Sequence, residues 1–314
     1  MRKLPNLRVQ LAPRHSKGLI LTNPVMIAAG IAGYGIEYAE VADIQKLGAI
    51  VCKGTTLKPK KGNAQPRLVE TADGLLNSVG LENIGVDALI REKAPVWAKW
   101  RVPVIVNVAG ETIDEYVAVA RKLEGVPGVS GIELNISCPN VSAGGMEFGV
   151  DPKLAAQVTS EVKAVTTLPV IVKLSPNVTD IKEIALAVEE AGADAISLIN
   201  TLKGMAIDID QRKPCLGNIA GGLSGPAIKP VALCMVFEAA RVVRIPIIGC
   251  GGIACAEDAL EFIMAGATAV QIGTACLTSP DICLTILDGI EHIMLDRGVK
   301  NLTDLIGVAQ RSAR

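Results

Sequence analysis

Cys138, in the segment NISCPNV, lies just past an apolar run, and Pro139 after it interrupts regular structure and leaves the thiol on a loop. A thiol of ordinary pKa, about 8.5, removes an activated carbon-bound proton when its surroundings favour the thiolate, so general base is a reasonable role. Nucleophile is the competing role. The chain has two histidines, His15 and His292, and neither belongs to a strand end where it would activate the sulfur. Covalent acyl chemistry is therefore disfavoured.

Two lysines, Lys53 and Lys173, also follow uninterrupted apolar runs. One such lysine alone reads as a solvated cap. Two together place ammonium groups at a partly desolvated mouth, where an anionic ligand offsets the desolvation cost. Asn77, Asn107, Asn135, Asn140 and Asn200 add amides that both donate and accept, which suits a planar heterocycle with carbonyl and imide groups. Near the end, GCGGI and QIGTA supply Gly251, Gly252, Gly273 and Thr274, where backbone N–H groups can approach a phosphate. Tight packing of a turn is the plainer reading of each glycine motif alone. Their joint placement after the last two strands favours phosphate.

Eight β-branched runs position these residues: VMIAAG, AIVCKG, PVIVNV, GIELNIS, PVIVKLS, AISLIN, PIIGCG and AVQIGT. Runs this apolar, without alternation, are those of strands buried on both faces of a parallel sheet. The segments between them have helical period, around residues 37–47, 112–123, 152–165, 180–191, 226–243, 256–265 and 279–295. The expected fold is a (β/α)₈ TIM barrel, residues 1–314 forming a single domain; a doubly wound open sheet is the alternative. In a barrel the strand C-termini converge on one face, so sequence scatter becomes a spatial cluster. Two stretches fall outside the repeat. LRVQLAPRHSKGLILTNP reads as an N-terminal β-hairpin turning at Lys17-Gly18, placed to plug the barrel floor. The stretch from Leu57 to Asn83, after strand two, is too long for an ordinary βα connection and reads as an active-site wall.

Composition excludes several classes. With 314 residues, 50% hydrophobic and 20% charged, the chain buries a core rather than staying disordered. A net charge of −1 without basic–aromatic clusters argues against nucleic acid. The eight cysteines are scattered without a CxxC pair, which argues against disulfides and metal. No run of about 18 apolar residues and no signal-peptide pattern is present, so no membrane and a cytoplasmic location are expected.

Taken in order, KGTT, LLNSVGLEN, NISCPNVSAGG, VKLSPN, LINT, GCGGI and QIGTA closely resemble the soluble, cysteine-type (class 1) dihydroorotate dehydrogenases over nearly the whole chain. The resemblance implies oxidation of dihydroorotate to orotate in pyrimidine biosynthesis on one FMN per chain. By that resemblance Cys138 is the base, and Lys53, Asn77, Ser78, Val79, Gly80, Leu81, Asn135, Asn200 and Thr201 bind substrate. FMN is implied at Ala29, Lys53, Gly54, Asn107, Asn135, Lys173, Ile199, Gly225, Gly251, Gly252, Gly273 and Thr274. Ala29 departs from the serine that many relatives carry.

The pattern SCPNVSAGGMEFG looks closer to the NAD-linked class, whose FMN subunit pairs with a second subunit carrying FAD and a 2Fe–2S cluster. This chain has neither clustered cysteines nor a GxGxxG after its first strand, so those parts are expected in the partner, in a heterotetramer built on a homodimer of this chain. The fumarate-linked class is the runner-up. Membrane-bound relatives use serine as base and an N-terminal helical extension, and quinone is not expected here. A flavin-free phosphate-binding barrel isomerase or aldolase with a Schiff-base lysine, and an FMN scaffold without turnover, are the remaining alternatives.

Overall fold

The computed structural model describes residues 4–137 and 148–312, so Cys138 and Asn140 lie outside the described residues. Short β1 (Val9–Gln10) and β2 (Ile20–Leu21) pair antiparallel ahead of β3 (Val25–Ile27) and β4 (Ala49–Thr55). Next come β5 (Leu68–Thr71), β6 (Gly74–Asn77), β7 (Val104–Val108), β8 (Gly131–Asn135), β9 (Val170–Lys173) and β10 (Ala195–Leu198). The rest are β11 (Leu202–Gly204), β12 (Ile207–Asp208), β13 (Lys213–Pro214), β14 (Gly221–Ser224), β15 (Ile247–Cys250) and β16 (Ala269–Ile272). β3, β4, β7, β8, β9, β10, β15 and β16 close into a parallel barrel in chain order, with β16 returning to β3. These are the eight apolar runs, and the open-sheet alternative falls because no barrel strand is an edge.

Helices α1 (Val86–Glu92), α2 (Ala94–Trp97), α3 (Ile113–Leu123), α4 (Pro152–Lys163), α5 (Ile181–Glu190), α6 (Lys229–Ala239) and α7 (Ala256–Ala265) lie between strands. After β16 come α8 (Ala275–Thr278), α9 (Ile282–Asp296) and α10 (Val308–Ser312). Starts follow capping chemistry: Thr112 accepts from the Glu115 N–H, Asp151 from those of Lys153 and Leu154, and Asp180 from that of Lys182. The helix expected over residues 37–47 is instead two 3₁₀ turns, Tyr38–Glu40 and Ile44–Lys46. Asp43 leaves helical geometry between them with ψ 77°, which lets Ile44 and Leu47 turn into the core while Val41 stays exposed. In the other direction, α1 and α2 are not apparent from the sequence because Lys93 and Pro95 interrupt their period.

The N-terminal hairpin sits at the strand N-termini, as expected for a floor plug. Lys17 Nζ donates to Thr167 Oγ1, just ahead of β9, and Leu19 packs towards Gly131 at the start of β8. Nearby, Glu124 at the end of α3 accepts from Thr166 Oγ1 at 2.7 Å, the Thr167 N–H at 2.7 Å and Thr167 Oγ1 at 2.5 Å. The Thr167 hydroxyl above all, with that of Thr166, holds its carboxyl down to about 2 from the usual 4.5. A depressed folded pKa contributes stability above 4.5 that is lost as pH falls towards 2. Glu124→Gln is therefore expected to lower the urea midpoint at pH 7, with the gap to wild type narrowing by about pH 3; a gap that stays constant would contradict the assignment.

The long stretch after β4 is not irregular. β5 and β6 form a hairpin that joins β14 and β11 in a four-stranded sheet ordered β11-β14-β6-β5. Its other half, residues 202–224 after β10, is not foreshadowed by the sequence pattern. The two excursions pair with each other above the strand ends.

Candidate functional site

Alternation along β8 puts Glu133 and Asn135 on one face and Ile132 and Leu134 on the other. Register then decides their neighbours: Asn107 of β7 lies opposite Glu133, and Lys173 of β9 lies opposite both Asn135 and Ser197. Glu133, Ser197 and Gln271 are 0% exposed and Asn107 is 1% exposed. A carboxylate this deep persists only with its lone pairs satisfied.

They are satisfied. Glu133 Oε1 accepts from Asn107 Nδ2 at 2.8 Å, and Oε2 accepts from Ser197 Oγ at 2.9 Å and Gln271 Nε2 at 2.7 Å. Gln271 Oε1 in turn accepts from Lys173 Nζ at 2.8 Å. β8 and β9 do not adjoin β16 in the barrel, so these bonds cross its interior. Burial works against the Lys173 ammonium, but the pull of Cys250 and Glu133 outweighs it and leaves the pKa above the usual 10.5. Lys173 thus stays a cation at a strand end, with no carboxylate in direct contact among the described residues.

A second chain of amides runs along the mouth. Asn135 Nδ2 approaches Asn107 Oδ1 at 3.5 Å, while Asn135 Oδ1 accepts from Asn200 Nδ2 at 3.3 Å and Ser137 Oγ at 3.2 Å. Asn200 Nδ2 also donates to Ser137 Oγ at 2.6 Å, and its Oδ1 accepts from the Thr201 N–H. Tyr116 of α3 pins the Asn135 carbonyl at 2.7 Å. Ser137, the last described residue before Cys138, is therefore tied to the mouth.

The four-stranded sheet carries Asn77 and Thr201 to the same place. Asn77 is in register with Gly222 and donates to its carbonyl at 3.2 Å. A Cβ on Gly222 would lie 2.0 Å from Thr201 Oγ1, so glycine is what lets Thr201 sit against β14 here. Beyond Asn77, Ser78 is 3% exposed and its Oγ has no hydrogen-bond partner among the described residues. An orphaned buried hydroxyl is costly unless a ligand or water satisfies it. Gly80 and Leu81 follow at φ 77° and 54°, and a Cβ built on Gly54 would meet Leu81 Cδ2 at 2.9 Å and Asn107 Oδ1 at 3.2 Å, so these residues adjoin β4 and β7.

On the opposite side, Thr274 donates to Ser224 Oγ at 2.8 Å, and Gly252 lies against Gly225 and the first residue of α6, Lys229. Gly273 faces open space, its nearest neighbour being Ala28, next to Ala29. Ile199 donates its N–H to the Cys250 carbonyl, beside Gly251. Open backbone next to a helix start is a cradle suited to phosphate. Gly252 has φ +74°, and a Cβ there would lie 2.7 Å from Lys229 N and 2.9 Å from the Gly225 carbonyl. Gly252→Ala is expected to cost about 1–3 kcal/mol in backbone conformation alone, so an unchanged melting temperature would contradict this geometry.

Of the expected residues, those just described lie at the strand C-termini and in the excursions above them, while Cys138 and Asn140 are outside the described residues. Lys53 contributes from β4 with its Nζ 6.0 Å from the Tyr34 ring centroid, and among the described residues it forms no ion pair. His15 lies in the floor hairpin and His292 on the outer face of α9, both away from the mouth. Glu133, Ser197 and Gln271 are members of the site that the strand-end pattern does not pick out. Their signal was present: each is a polar residue inside an otherwise apolar run.

A closed parallel barrel with cations, amides and glycine turns gathered at its strand C-termini defines an α/β-barrel protein whose polar groups converge on that face. The sequence model of the family described as dihydroorotate dehydrogenase matches residues 13–294, and the chain belongs to that family. It is 53% identical over 303 residues to the "Dihydroorotate dehydrogenase B (NAD(+)), catalytic subunit" of Geotalea uraniireducens (strain Rf4), covering 96% of this chain and 98% of that protein. The protein of the same description from Pelobacter propionicus is 53% identical over 306 residues, covering 98% of this chain and 99% of its own length. That from Desulforudis audaxviator is 52% identical over 295 residues, covering 94% and 96%. Among the described residues no helix is long and apolar enough to cross a membrane.

Proposed function

We propose that the chain is the FMN-binding catalytic subunit of an NAD-linked dihydroorotate dehydrogenase, oxidising dihydroorotate to orotate in pyrimidine biosynthesis. The observation that carries the reading is the hydrogen-bonded run Asn107–Asn135–Ser137–Asn200 at the mouth, in which Ser137 is the residue before Cys138 in the sequence. Asn77, Asn135 and Asn200 orient the amide and carboxylate edges of the substrate, with Ser78, Val79, Gly80, Leu81 and Thr201 lining it. Lys53 supplies positive charge to it. Cys138 as thiolate takes the proton from C5.

The residues present suit FMN: the close-packed turn of Gly225 and Gly252 with Thr274 and the open face of Gly273 for its phosphate, and the buried cation Lys173 for its pyrimidine edge. Asn107, Gly54, Ala29, Ile199 and Gly251 complete its surroundings. When bound, FMN supplies the two-electron acceptor for the hydride leaving C6. Lys173 holds positive charge where reduction accumulates negative charge.

The relatives are described as catalytic subunits acting with NAD(+). We assign the next acceptor, FAD with a 2Fe–2S cluster, to a partner subunit, the complex being built on a homodimer of this chain, a single domain, in the cytoplasm. The test is dihydroorotate oxidation by the isolated chain with fumarate, then with NAD after co-purification with its native partner. NAD reduction only in the complex is expected. Turnover with fumarate by the chain alone would overturn the NAD-linked assignment.

A further inference from the structure

Glu133 touches no residue that we place against substrate or cofactor except Asn107, yet it decides how two amides at the site are turned. An amide has one accepting and one donating end, and which end faces which way is set by its partners. Asn107 and Gln271 both direct their NH₂ groups at the Glu133 carboxylate. Their oxygens must therefore face away from it, Gln271 Oε1 to Lys173 and Asn107 Oδ1 to Asn135. With a neutral apolar group at position 133, neither orientation would be enforced. Gln271 would be free to turn its NH₂ towards Lys173, donor against donor.

Spacing matters as well. Glu133 and Lys173 are opposite charges in one barrel interior, but Gln271 stands between them and they form no direct ion pair. A direct pair would tie the ammonium to the carboxylate. The amide relay holds Lys173 by one of its N–H donors while passing on the field of the anion.

We infer that Glu133 is a positioning residue which, through Gln271, holds the Lys173 ammonium in place for the pyrimidine edge of the flavin. The inference rests on the flavin reading of the mouth. It predicts that breaking the relay at Gln271 or Glu133, which are not placed against the ligand, changes flavin energetics in the same direction as removing Lys173 itself.

The test uses the full-length holoprotein and four variants: Lys173→Met, Gln271→Met, their double, and Glu133→Gln. The readouts are the flavin midpoint potential by dye equilibration and the FMN dissociation constant of the apoprotein by fluorescence quenching. Lys173→Met is expected to lose about tenfold in preference for reduced over oxidised flavin, a potential about 30 mV more negative for a two-electron couple. Gln271→Met should reproduce at least about a third of that tenfold factor, and the double variant should match Lys173→Met alone, because coupled residues are not additive.

Each result decides something. If Lys173→Met shifts the potential while folded Gln271→Met and Glu133→Gln keep that of wild type, the positioning role is refuted and the flavin reading stands. Additive effects in the double variant would also refute it, since Gln271 would then act independently of Lys173. If Gln271→Met does not fold, Glu133→Gln, which forces one amide to flip with little change of volume, decides the same question. If Lys173→Met leaves both potential and FMN affinity unchanged, the flavin reading itself falls, and the inference with it.

Discussion

Cys138→Ala is expected to cut the rate at which dihydroorotate bleaches the bound flavin by about 10²–10⁴-fold, the usual contribution of a positioned general base, while flavin content stays that of wild type. The two halves of the expectation have separate grounds. The base acts on C5 of the substrate, whereas the cradle of Gly225, Gly252, Gly273 and Thr274 and the Lys173 ammonium are carried by other parts of the chain. Cys138→Ser should fall between the two, since a hydroxyl is a far weaker base than a thiolate at neutral pH. The ordering wild type, Ser, Ala in anaerobic stopped-flow reduction is the measurement. Flavin reduction by dihydroorotate at an unaltered rate in folded Cys138→Ala would remove the sulfur from the mechanism.

Glu133→Ala is expected to be the most damaging single change to stability outside the apolar core, at roughly 3 kcal/mol or more, because it leaves three buried donors without their acceptor. The loss has identifiable parts. Asn107 Nδ2, Ser197 Oγ and Gln271 Nε2 all lose their acceptor inside the barrel, and an unsatisfied buried donor costs about 1–3 kcal/mol. Lys173 keeps Gln271 and Cys250 but loses the Glu133 part of the attraction that outweighs its desolvation. The pH dependence follows from the sign of that shift. A lysine whose folded pKa lies above 10.5 contributes stability fully present below 10.5 and lost as pH rises through the folded value. The gap between wild type and variant in urea unfolding should therefore be wide at neutral pH and narrow only on the alkaline side. A variant as stable as wild type at pH 7 would show that the interior network is not holding the barrel.

The polar residues of the barrel mouth were legible early because strand ends are local features. Lys53, Asn107, Asn135, Lys173 and Asn200 each terminate or follow an apolar run, and the barrel brings the ends of its strands to one face whatever the intervening helices contain. Helix starts were legible for the same reason: Thr112, Asp151 and Asp180 are caps whose hydrogen bonds reach only two or three residues ahead. Where local signals conflicted, the pattern misled. Pro95 hid α2, and the even period of residues 37–47 hid the break at Asp43.

By itself, then, the amino-acid order determined the eight buried strands, their succession and the polar character of their tips, since all of these follow from periodicity and capping within a dozen residues. Only the tertiary structure decided which tips touch. Glu133 and Gln271 are 138 positions apart and meet because barrel closure sets β8 and β16 across one lumen. Asn77 and Gly222, 145 positions apart, meet because two excursions pair as one sheet. Such contacts depend on strand register and ring closure, which are properties of the whole assembly of strands, and no window of sequence contains them.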